Sequence, residues 1–388
     1  MKKTLLAATI LGAFACAASA ANVQVYGLID TSLSFVHSDA DISGVDSKNS
    51  FTMENAEQFG SRFGLRGSED LGNGMKVSFV LESGFESDTG ALDTKQRGRL
   101  FGRESNVTVS GGFGDVTFGL IPIFGSVLGA NGLFRALDPV TANYTVGFGS
   151  GFATASSMTR VDNAISYKTP TFAGFTGYAM YSFKVNGKDG AGQEGDGSTD
   201  RYASLAVRYQ QGPLEAVLIA DQTRYGNDQY RGLDDGSTVT FGGNYTLDNG
   251  LKLIAFGQWF DSMILSTVAR AGVALDGIMA TTSLDPNSTT DAHKGYGQVD
   301  GYGLSFGVNF PLAGGVAKAS VNYRDMDNTD NVDFTRWTVA GGYDYPLSKR
   351  TTIYAMGGYS QEKVENHVEN KEATPGGYQL VAGLLHRF

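Results

Sequence analysis

Hydrophobic and polar residues alternate one by one along much of the chain. In "STVTFGGNYTL", Val239 and Phe241 fall on one face, whereas Thr238 and Thr240 fall on the other. The same period of two recurs in "GYGLSFGVNF" (301–310), "VAKASVNYR" (316–324) and "RWTVAGGYDY" (336–345). Because successive side chains of a strand point to opposite faces, the alternation predicts β-strands. About ten residues is also the length that a tilted strand needs to cross a bilayer.

The connections between the predicted strands alternate between short and long. Seven are tight turns with the Gly, Pro, Asn and Asp residues that hairpins require: 69–74, 110–114, 168–174, 210–213, 247–250, 311–315 and 346–349. Eight are longer and mostly polar: 37–57, 87–99, 120–159, 186–199, 226–236, 262–296, 326–332 and 362–374. Seven hairpins and one further strand at each end predict sixteen strands.

Such regular alternation of turn length is typical of an all-β transmembrane antiparallel β-barrel of the bacterial outer membrane. Its short turns lie at the periplasmic rim and its long loops lie outside, whereas a soluble sandwich gives no reason for this asymmetry. Closure leaves no sheet edge unpaired in lipid. Since a barrel of about 16 strands is wide enough for an aqueous channel, the polar faces are predicted to line a water-filled lumen.

Two arginines occupy one of these polar faces. In "SRFGLRG", Arg62 and Arg66 alternate with Phe63 and Leu65. In a soluble sandwich the two arginines would be solvated and the apolar face would be a core. In a membrane barrel the same alternation predicts that both guanidinium groups project into the lumen.

The amino-terminal residues 1–20 are predicted to be a secretory signal peptide, with Lys2 and Lys3 before an apolar stretch and cleavage after Ala20. Residues 21–388 are then predicted to form a single barrel domain. A lipid-attachment role for Cys16 is the alternative interpretation of this region. Cleavage after Ala20 would leave no cysteine, and therefore no disulfide or thiolate metal site.

Composition and charge narrow the protein class further. The chain has 53 Gly but 8 Pro, with 18 Tyr and 24 Phe, and this profile favours strands over helices. No apolar stretch after the signal approaches the ~18 residues of a membrane helix. Removing Lys2 and Lys3 changes the formal net charge from −10 to −12, which argues against nucleic acid as a partner.

The chain ends on an alternating segment, "YQLVAGLLHRF", with Phe388 as its last residue. This ending resembles the signal that the outer-membrane barrel-assembly machinery reads, so that machinery is a predicted partner. Phe310, Tyr345 and Phe388 all stand where strands approach short turns, as members of an interfacial aromatic girdle would.

Several longer motifs resemble the general diffusion porins of Gram-negative bacteria, of the β-proteobacterial type. They are "NVQVYGLIDTSLSFV", "SRFGLRGSEDLGNGMKVSFVLESGF", "GRESNVTVSGGFGDVTFG", "DNAISYKTPTFAGF" and the terminal "HRF". The resemblance implies a homotrimer of sixteen-stranded barrels in outer-membrane lipid and lipopolysaccharide, with the long third loop folded into each lumen. Ions and small hydrophilic solutes would cross by passive diffusion, and no cofactor is expected.

The resemblance also implies which residues form the pore constriction. Arg62 and Arg66 match a basic cluster on the second strand, Arg103 in "GRESN" matches the basic residue that opens the fourth, and Arg160 matches the one that opens the sixth. Glu82 in "VLESGF" matches an inward acid of the third strand. Asp138, the only acid between Asp115 and Asp162, is the candidate loop acid opposite the arginines. More inward arginines than acids predict a weak anion preference.

The chain departs from the family pattern at two positions: Leu120 stands where a pore arginine is expected, and Asn106 in the fourth strand stands where an aromatic residue is common. The third loop is also apolar, at Ile121, Ile123 and Phe124 among others. A plugged structural or adhesive barrel is therefore one alternative function, and an outer-membrane barrel hydrolase is another. The chain has only four histidines, so few residues could serve as the base of a Ser-His-Asp site, and the hydrolase is the less favoured alternative.

Acidic residues are concentrated in the predicted outer loops: Asp39, Asp41, Asp46, Asp189, Glu194, Asp196, Asp200, Asp228, Asp234 and Asp235. Divalent cations that bridge these acids to lipopolysaccharide are one interpretation. Simple solubility is the favoured one, because no liganding spacing such as an EF-hand loop is present.

Overall fold

The computed structural model of the chain describes residues 22–39, 41, 46–93, 98–140, 148–155, 158–185, 199–226, 233–265, 297–368 and 370–388. The predicted signal peptide (1–20) lies outside these residues, and so do the loop acids Asp189, Glu194, Asp196 and Asp228. Among the described residues, no helix has both the length and the apolar character of a transmembrane helix.

The described residues form one antiparallel sheet of eighteen strand segments that closes on itself where β1 pairs with β18. The segments are β1 Gln24–Asp39, β2 Lys48–Asn55, β3 Arg62–Gly72, β4 Met75–Gly84, β5 Glu104–Gly111, β6 Gly114–Pro122, β7 Arg160–Lys168, β8 Phe175–Ser182, β9 Arg201–Gln211, β10 Leu214–Arg224, β11 Gly236–Thr246, β12 Lys252–Leu265, β13 Gly297–Leu312, β14 Gly315–Asn328, β15 Val332–Pro346, β16 Thr351–Asn366, β17 Lys371–Ala373 and β18 Gly376–Arg387.

Two of the barrel strands are each divided into two segments. β2 and β3 pair with successive halves of β1, and β17 and β18 both pair with β16. The eighteen segments therefore make sixteen spanning strands, which confirms the sequence prediction of a sixteen-stranded barrel.

The short turns fall where the sequence predicts them. The turn between β3 and β4 places Gly72, Asn73 and Gly74 at positive φ, and the turn after β13 places Ala313 and Gly314 there. Glycine and asparagine tolerate this left-handed conformation, which tight hairpins require.

The boundaries of the first long connection were predicted wrongly. β1 continues to Asp39, and β2 pairs with it over residues predicted to be loop, with Phe51 opposite Phe35. The predicted strand around Arg62 in turn begins at Arg62 itself, because residues 56–61 leave the sheet. The outer end of β1 and most of β2 are polar, and Phe51 and Met53 are the only large apolar residues of β2, so the sequence of this region was predicted to be a loop.

The two faces of the barrel wall differ as predicted. Phe241, Leu304 and Leu380 are exposed on the outside, whereas their polar neighbours Thr240 and Ser305 are buried on the inside. Buried apolar clusters lie inside the barrel, where the segment that follows β6 packs against the inner wall. These clusters position the candidate site.

Candidate functional site

The predicted arginines of the second barrel strand share a face with an acid of the third. Glu82 on β4 pairs directly with Gly64 on β3, so Glu82 lies on the same face as Arg62 and Arg66, two residues to either side. Directly paired residues of an antiparallel sheet project to the same face of the sheet, and the short distance between the Arg62 and Glu82 side chains agrees with this. Parity predicts that Arg62 and Arg66 share a face, whereas Glu82 was predicted to be an inward acid from the family resemblance.

Glu82 is the centre of a charged cluster. Its Oε1 lies 2.7 Å from Nε of Arg103 and 3.7 Å from Nη1 of Arg62. Its Oε2 accepts a hydrogen bond of 3.0 Å from the hydroxyl of Tyr26 on β1. Glu82 and Arg103 are 6% and 5% exposed, so their pairing compensates two charges that are largely removed from bulk water.

Arg160 and Glu104 complete this cluster. Arg160, the first residue of β7, interacts electrostatically with Glu104, Arg103 and Glu82. Glu104 pairs directly with Glu82 in the register of β4 and β5. Sequence reasoning missed Glu104, although it directly follows Arg103 in "GRESN". Asp93 also lies 4.0 Å from Nη1 of Arg103, so with all groups ionised these three arginines are balanced by three carboxylates.

Arg66 lies beside this cluster, nearer the short-turn end of the strand. Its Nε donates to Oε1 of Gln24 at 3.1 Å, and its guanidinium lies 4.9 Å from the centre of the Tyr26 ring. A cation over an aromatic face is attracted to it electrostatically. Tyr26 thus contacts Arg66 with its ring and Glu82 with its hydroxyl, so the structure brings five of the six predicted residues into one neighbourhood.

The third-loop segment, defined as described residues 123–140 and 148–155, contacts inward-facing side chains of the wall. Nδ2 of Asn244 on β11 donates to the Ala136 carbonyl at 2.8 Å, and Oε1 of Gln258 on β12 accepts from the Ala155 amide at 2.7 Å. Nδ2 of Asn322 on β14 donates to the Phe148 carbonyl at 3.2 Å. These amide side chains satisfy backbone groups that no strand pairs.

Three wall glycines leave room for the third-loop segment. A Cβ at Gly303 would overlap the carbonyl oxygen of Ala153. A Cβ at Gly307 would overlap the ring of Pro139, and one at Gly358 the ring of Phe148. Glycine at these positions lets the segment approach the wall closely.

The apolar half of this segment is packed against the wall. Phe124 meets Tyr178 of β8 with ring centres 5.4 Å apart, and Phe134 meets Phe256 of β12 at 4.9 Å. Ile121 and Ile123 belong to the same buried cluster. The apolar residues that suggested a plugged barrel in the sequence therefore pack against the barrel wall.

Asp138 is buried within the third-loop segment. Its neighbour Pro139 lies against Gly307 of β13, and Ala136 is held by β11. β11 is the tenth spanning strand and β3 belongs to the second, so Asp138 lies on the side of the barrel opposite Arg62. Among the described ion pairs, those of Arg62 and Arg103 are with Glu82 and Asp93. The pairing of Asp138 with the arginine field stays a prediction.

Arg135 is a charged residue of the third-loop segment that sequence reasoning missed. It is exposed, and its Nε and Nη2 donate to the Val127 carbonyl at 3.1 and 2.8 Å. Nη2 also donates to the Gly129 carbonyl at 3.0 Å. Its sequence neighbours Phe134 and Ala136 both contact the inner wall, so Arg135 lies inside the barrel.

A second charged cluster lies under the third-loop segment, on β14 to β16. Nη2 of Arg324 lies 2.7 Å from Oε1 of Glu362, and Nη1 of Arg336 lies 3.8 Å from Oε2 of the same carboxylate. The Arg336 guanidinium also lies 5.5 Å from the ring centre of Phe152. Alternation placed Arg324 and Arg336 on the polar face, but gave no reason to single them out.

Comparison with known proteins identifies the class. The profile of the Gram-negative porin family matches residues 7–365, so the chain belongs to this family of outer-membrane channels. The predicted β-proteobacterial porin resemblance and the outer-membrane location are thereby confirmed, and the family is one of channels rather than enzymes.

Individual relatives cover nearly the whole chain. An outer membrane porin protein of Bordetella pertussis is 32% identical over 405 residues and covers 100% of both chains. Outer membrane porin protein 32 of Delftia acidovorans is 31% identical, over 98% of this chain and 93% of its own. A solved structure described as an anion-selective porin from Comamonas acidovorans matches with a TM-score of 0.64 at 25% identity, over 95% of this chain and 100% of its own.

Proposed function

We propose that this porin is a water-filled channel for passive diffusion of ions and small hydrophilic solutes, with a weak preference for anions. The observation that carries the proposal is the group of inward arginines: Glu82, Glu104 and Asp93 offset Arg62, Arg103 and Arg160, whereas Arg66 and Arg135 are exposed and belong to none of the described ion pairs. Passage of neutral solutes depends on pore width, and the choice of ion depends on the field inside the pore.

The position of the third-loop segment supports a constriction beside these arginines. Its buried clusters engage the inner wall from β7 to β18 and β1. Gly129 of the segment also approaches the Glu104 carboxylate of β5, so among the described residues the open part of the lumen is bounded by β3 and β4, the wall that carries Arg62, Arg66 and Glu82. An ion would pass between the segment and this wall.

Exposed arginines extend the positive field along this path. Arg135 belongs to the loop side and Arg66 to the wall side, and both are exposed. Acids on the outer loops count for less, because the Debye length at physiological salt is about 8 Å. The solved relative described as anion-selective agrees with this sign of selectivity.

We propose further that the barrels assemble as homotrimers in outer-membrane lipid and lipopolysaccharide. The barrel-assembly machinery would recognise the closing strand through Phe388, which is 46% exposed. The signal peptide would be removed after Ala20 before assembly.

The test is single-channel conductance in a planar bilayer, followed by the reversal potential across a KCl gradient. Steps in groups of three with an anion-favouring reversal potential are expected. The double variant Arg62→Ala with Arg66→Ala is expected to move the reversal potential toward that of a non-selective pore. An unchanged reversal potential would contradict the arginine assignment, and an inserted but silent barrel would favour the plugged structural or adhesive alternative.

A further inference from the structure

The break between β2 and β3 folds into the barrel. We define the inward segment as residues 56–61, which belong to no strand; at its two ends the Ala56 amide donates to the Asp30 carbonyl of β1 and the Ser61 carbonyl accepts from the Phe85 amide. Glu57, Gln58 and Ser61 are buried, at 4%, 3% and 1% exposure. A buried, non-strand stretch in the wall of a membrane barrel must satisfy its backbone groups by other means.

One carboxylate holds the inward segment in place. Oδ2 of Asp30 accepts the backbone amides of Gln58 at 3.1 Å and Phe59 at 2.6 Å, while Oδ1 accepts the Tyr354 hydroxyl at 2.7 Å. The Asp30 backbone also exchanges hydrogen bonds with the Ser61 hydroxyl at 3.0 and 3.1 Å. Asp30 is 0% exposed, so this carboxylate serves the fold and does not meet passing solutes.

On one side the inward segment reaches across the closing seam of the barrel. Oε2 of Glu57 accepts from Nε2 of Gln379 on β18 at 3.1 Å. Nε2 of Gln58 donates to Oδ1 of Asp344 on β15 at 2.9 Å. The segment therefore covers the inner face of the wall from β15 to β1.

On its other side the inward segment touches the arginine cluster. The Gly60 carbonyl accepts from Nε of Arg62 at 2.8 Å. A Cβ at Gly60 would lie 2.7 Å from Nη1 of Arg103, so the Gly60 backbone lies directly against that guanidinium. The path of the segment thus fixes where these two cations stand.

We propose that the inward segment is a second constriction element, separate from the third loop, which narrows the lumen along β15 to β1 and positions Arg62 and Arg103. Asp30 is its positioning residue. The effect on ion choice rests on the proposed anion-conducting function, whereas the narrowing does not.

Two variants separate these roles. Asp30→Ala removes the acceptor of three hydrogen bonds and is expected to loosen the segment at Gln58 and Phe59, next to Gly60, which contacts the arginines. We expect higher single-channel conductance and a roughly two-fold lower anion-to-cation permeability ratio, since the field at the constriction depends on where its charges stand. Gln58→Ala removes only the link to Asp344, so conductance is expected to rise while the reversal potential stays the same. Ser166→Ala, a buried inward-facing position on β7, is the matched control and is expected to change neither.

Release of the segment can also be measured without ion flow. Cys16 is the only native cysteine and falls in the predicted signal peptide, so Ala56→Cys introduces a single thiol into the barrel. Its reaction with a water-soluble maleimide is expected to be slow, and to accelerate when Asp30→Ala is added. Heat-modified mobility on gels verifies that each variant is folded.

Unchanged conductance in folded Asp30→Ala and Gln58→Ala barrels, with unchanged thiol reactivity, would overturn the inference. A wild-type channel without anion preference would instead overturn the proposed function, and conductance and thiol reactivity would still decide the role of the inward segment.

Discussion

At the scale of single residues, the site is organised by a carboxylate rather than by its arginines. Glu82 bonds Arg103, approaches Arg62 and accepts from Tyr26, which itself lies under Arg66. A buried carboxylate between guanidinium groups limits how many positive charges act on the lumen. Glu82 therefore sets both the strength of the field and the position of the cations that produce it.

Replacing Glu82 by Gln is expected to strengthen anion preference, because the cluster gains one net positive charge. The anion-to-cation permeability ratio should rise by up to about five-fold, since a unit charge at ~4 Å in water contributes about 1 kcal/mol. Thermal stability should fall, because Arg103 loses its buried counter-charge. Reversal potentials and melting curves check this. Glu69→Gln, an exposed position near the turn of β3, is the control and should change neither.

Replacing Arg135 by Ala is expected to weaken anion preference by a similar factor, up to about five-fold, because the loop side of the path loses its exposed cation. The Val127 and Gly129 carbonyls also lose a donor, so Arg135→Lys should recover selectivity only in part. Reversal potentials measure the effect, with Arg350→Ala in the turn before β16 as control. An equal effect of both alanine variants would contradict a local role for Arg135.

What the sequence could predict at this scale depended on periodicity. Arg62 and Arg66 lie on one strand, where parity places both side chains on the polar face, and Glu82 was predicted to be inward from the family resemblance. Arg135 and Asp138 lie in a segment without a repeat, so the sequence shows neither which of them is exposed nor which wall they meet. Glu104 was on a predicted strand, yet its role depends on register with Glu82, and register follows from the assembled sheet.

At the scale of elements, the third-loop segment and the wall are fitted to each other. Amide side chains of β11, β12 and β14 bond its backbone, and glycines of β13 and β16 make room for it. The sequence showed these glycines only as members of alternating strands. Their role depends on an element at least 150 residues away in the chain, as Gly303 and Ala153 illustrate.

Gly303→Ala is expected to displace the third-loop segment, because the added Cβ would overlap the Ala153 carbonyl oxygen, a backbone atom that cannot rotate away. Overpacking of this kind costs about 1–3 kcal/mol, and the displaced segment should change single-channel conductance. Gly341→Ala on β15 is the control, since its nearest neighbour would lie at 3.7 Å. Equal conductance and stability of the two variants would show that the segment does not depend on this contact.

At the scale of the whole molecule, sixteen spanning strands close into one barrel, and the number of strands was predictable from turn spacing alone. The ends of the strands were not, because β1, β2 and β16 continue with polar residues beyond the apolar belt. The sequence also did not predict the inward break at residues 56–61. Residues 56–57 fell in the predicted connection, and residues 58–61 continue the alternation of the strand that follows.

Phe388→Ala is expected to lower the amount of barrel assembled in the outer membrane while leaving the conductance of protein refolded in detergent unchanged. The backbone bonds of Phe388 with Gly27, at 3.1 and 3.2 Å, do not require its side chain, whereas recognition of the closing strand would. Quantitative blots of membrane fractions and bilayer recordings measure the two effects. Equal assembly of Leu384→Ala, which is also exposed on β18, and Phe388→Ala would argue against a specific role for the terminal ring.

The bonds between Gly27 and Phe388 have a consequence for the order of folding. They join residues 361 positions apart (388 minus 27), so the last residue of the chain is needed to close the first strand. Contacts of such long sequence separation form slowly, because the chain loses the entropy of closing a long loop before the contact contributes any stability. Until β18 arrives, β1 has an open edge along the side where the two strands pair. The chain must therefore cross the periplasm with unpaired strands, and protection from aggregation during that interval is a requirement set by its topology.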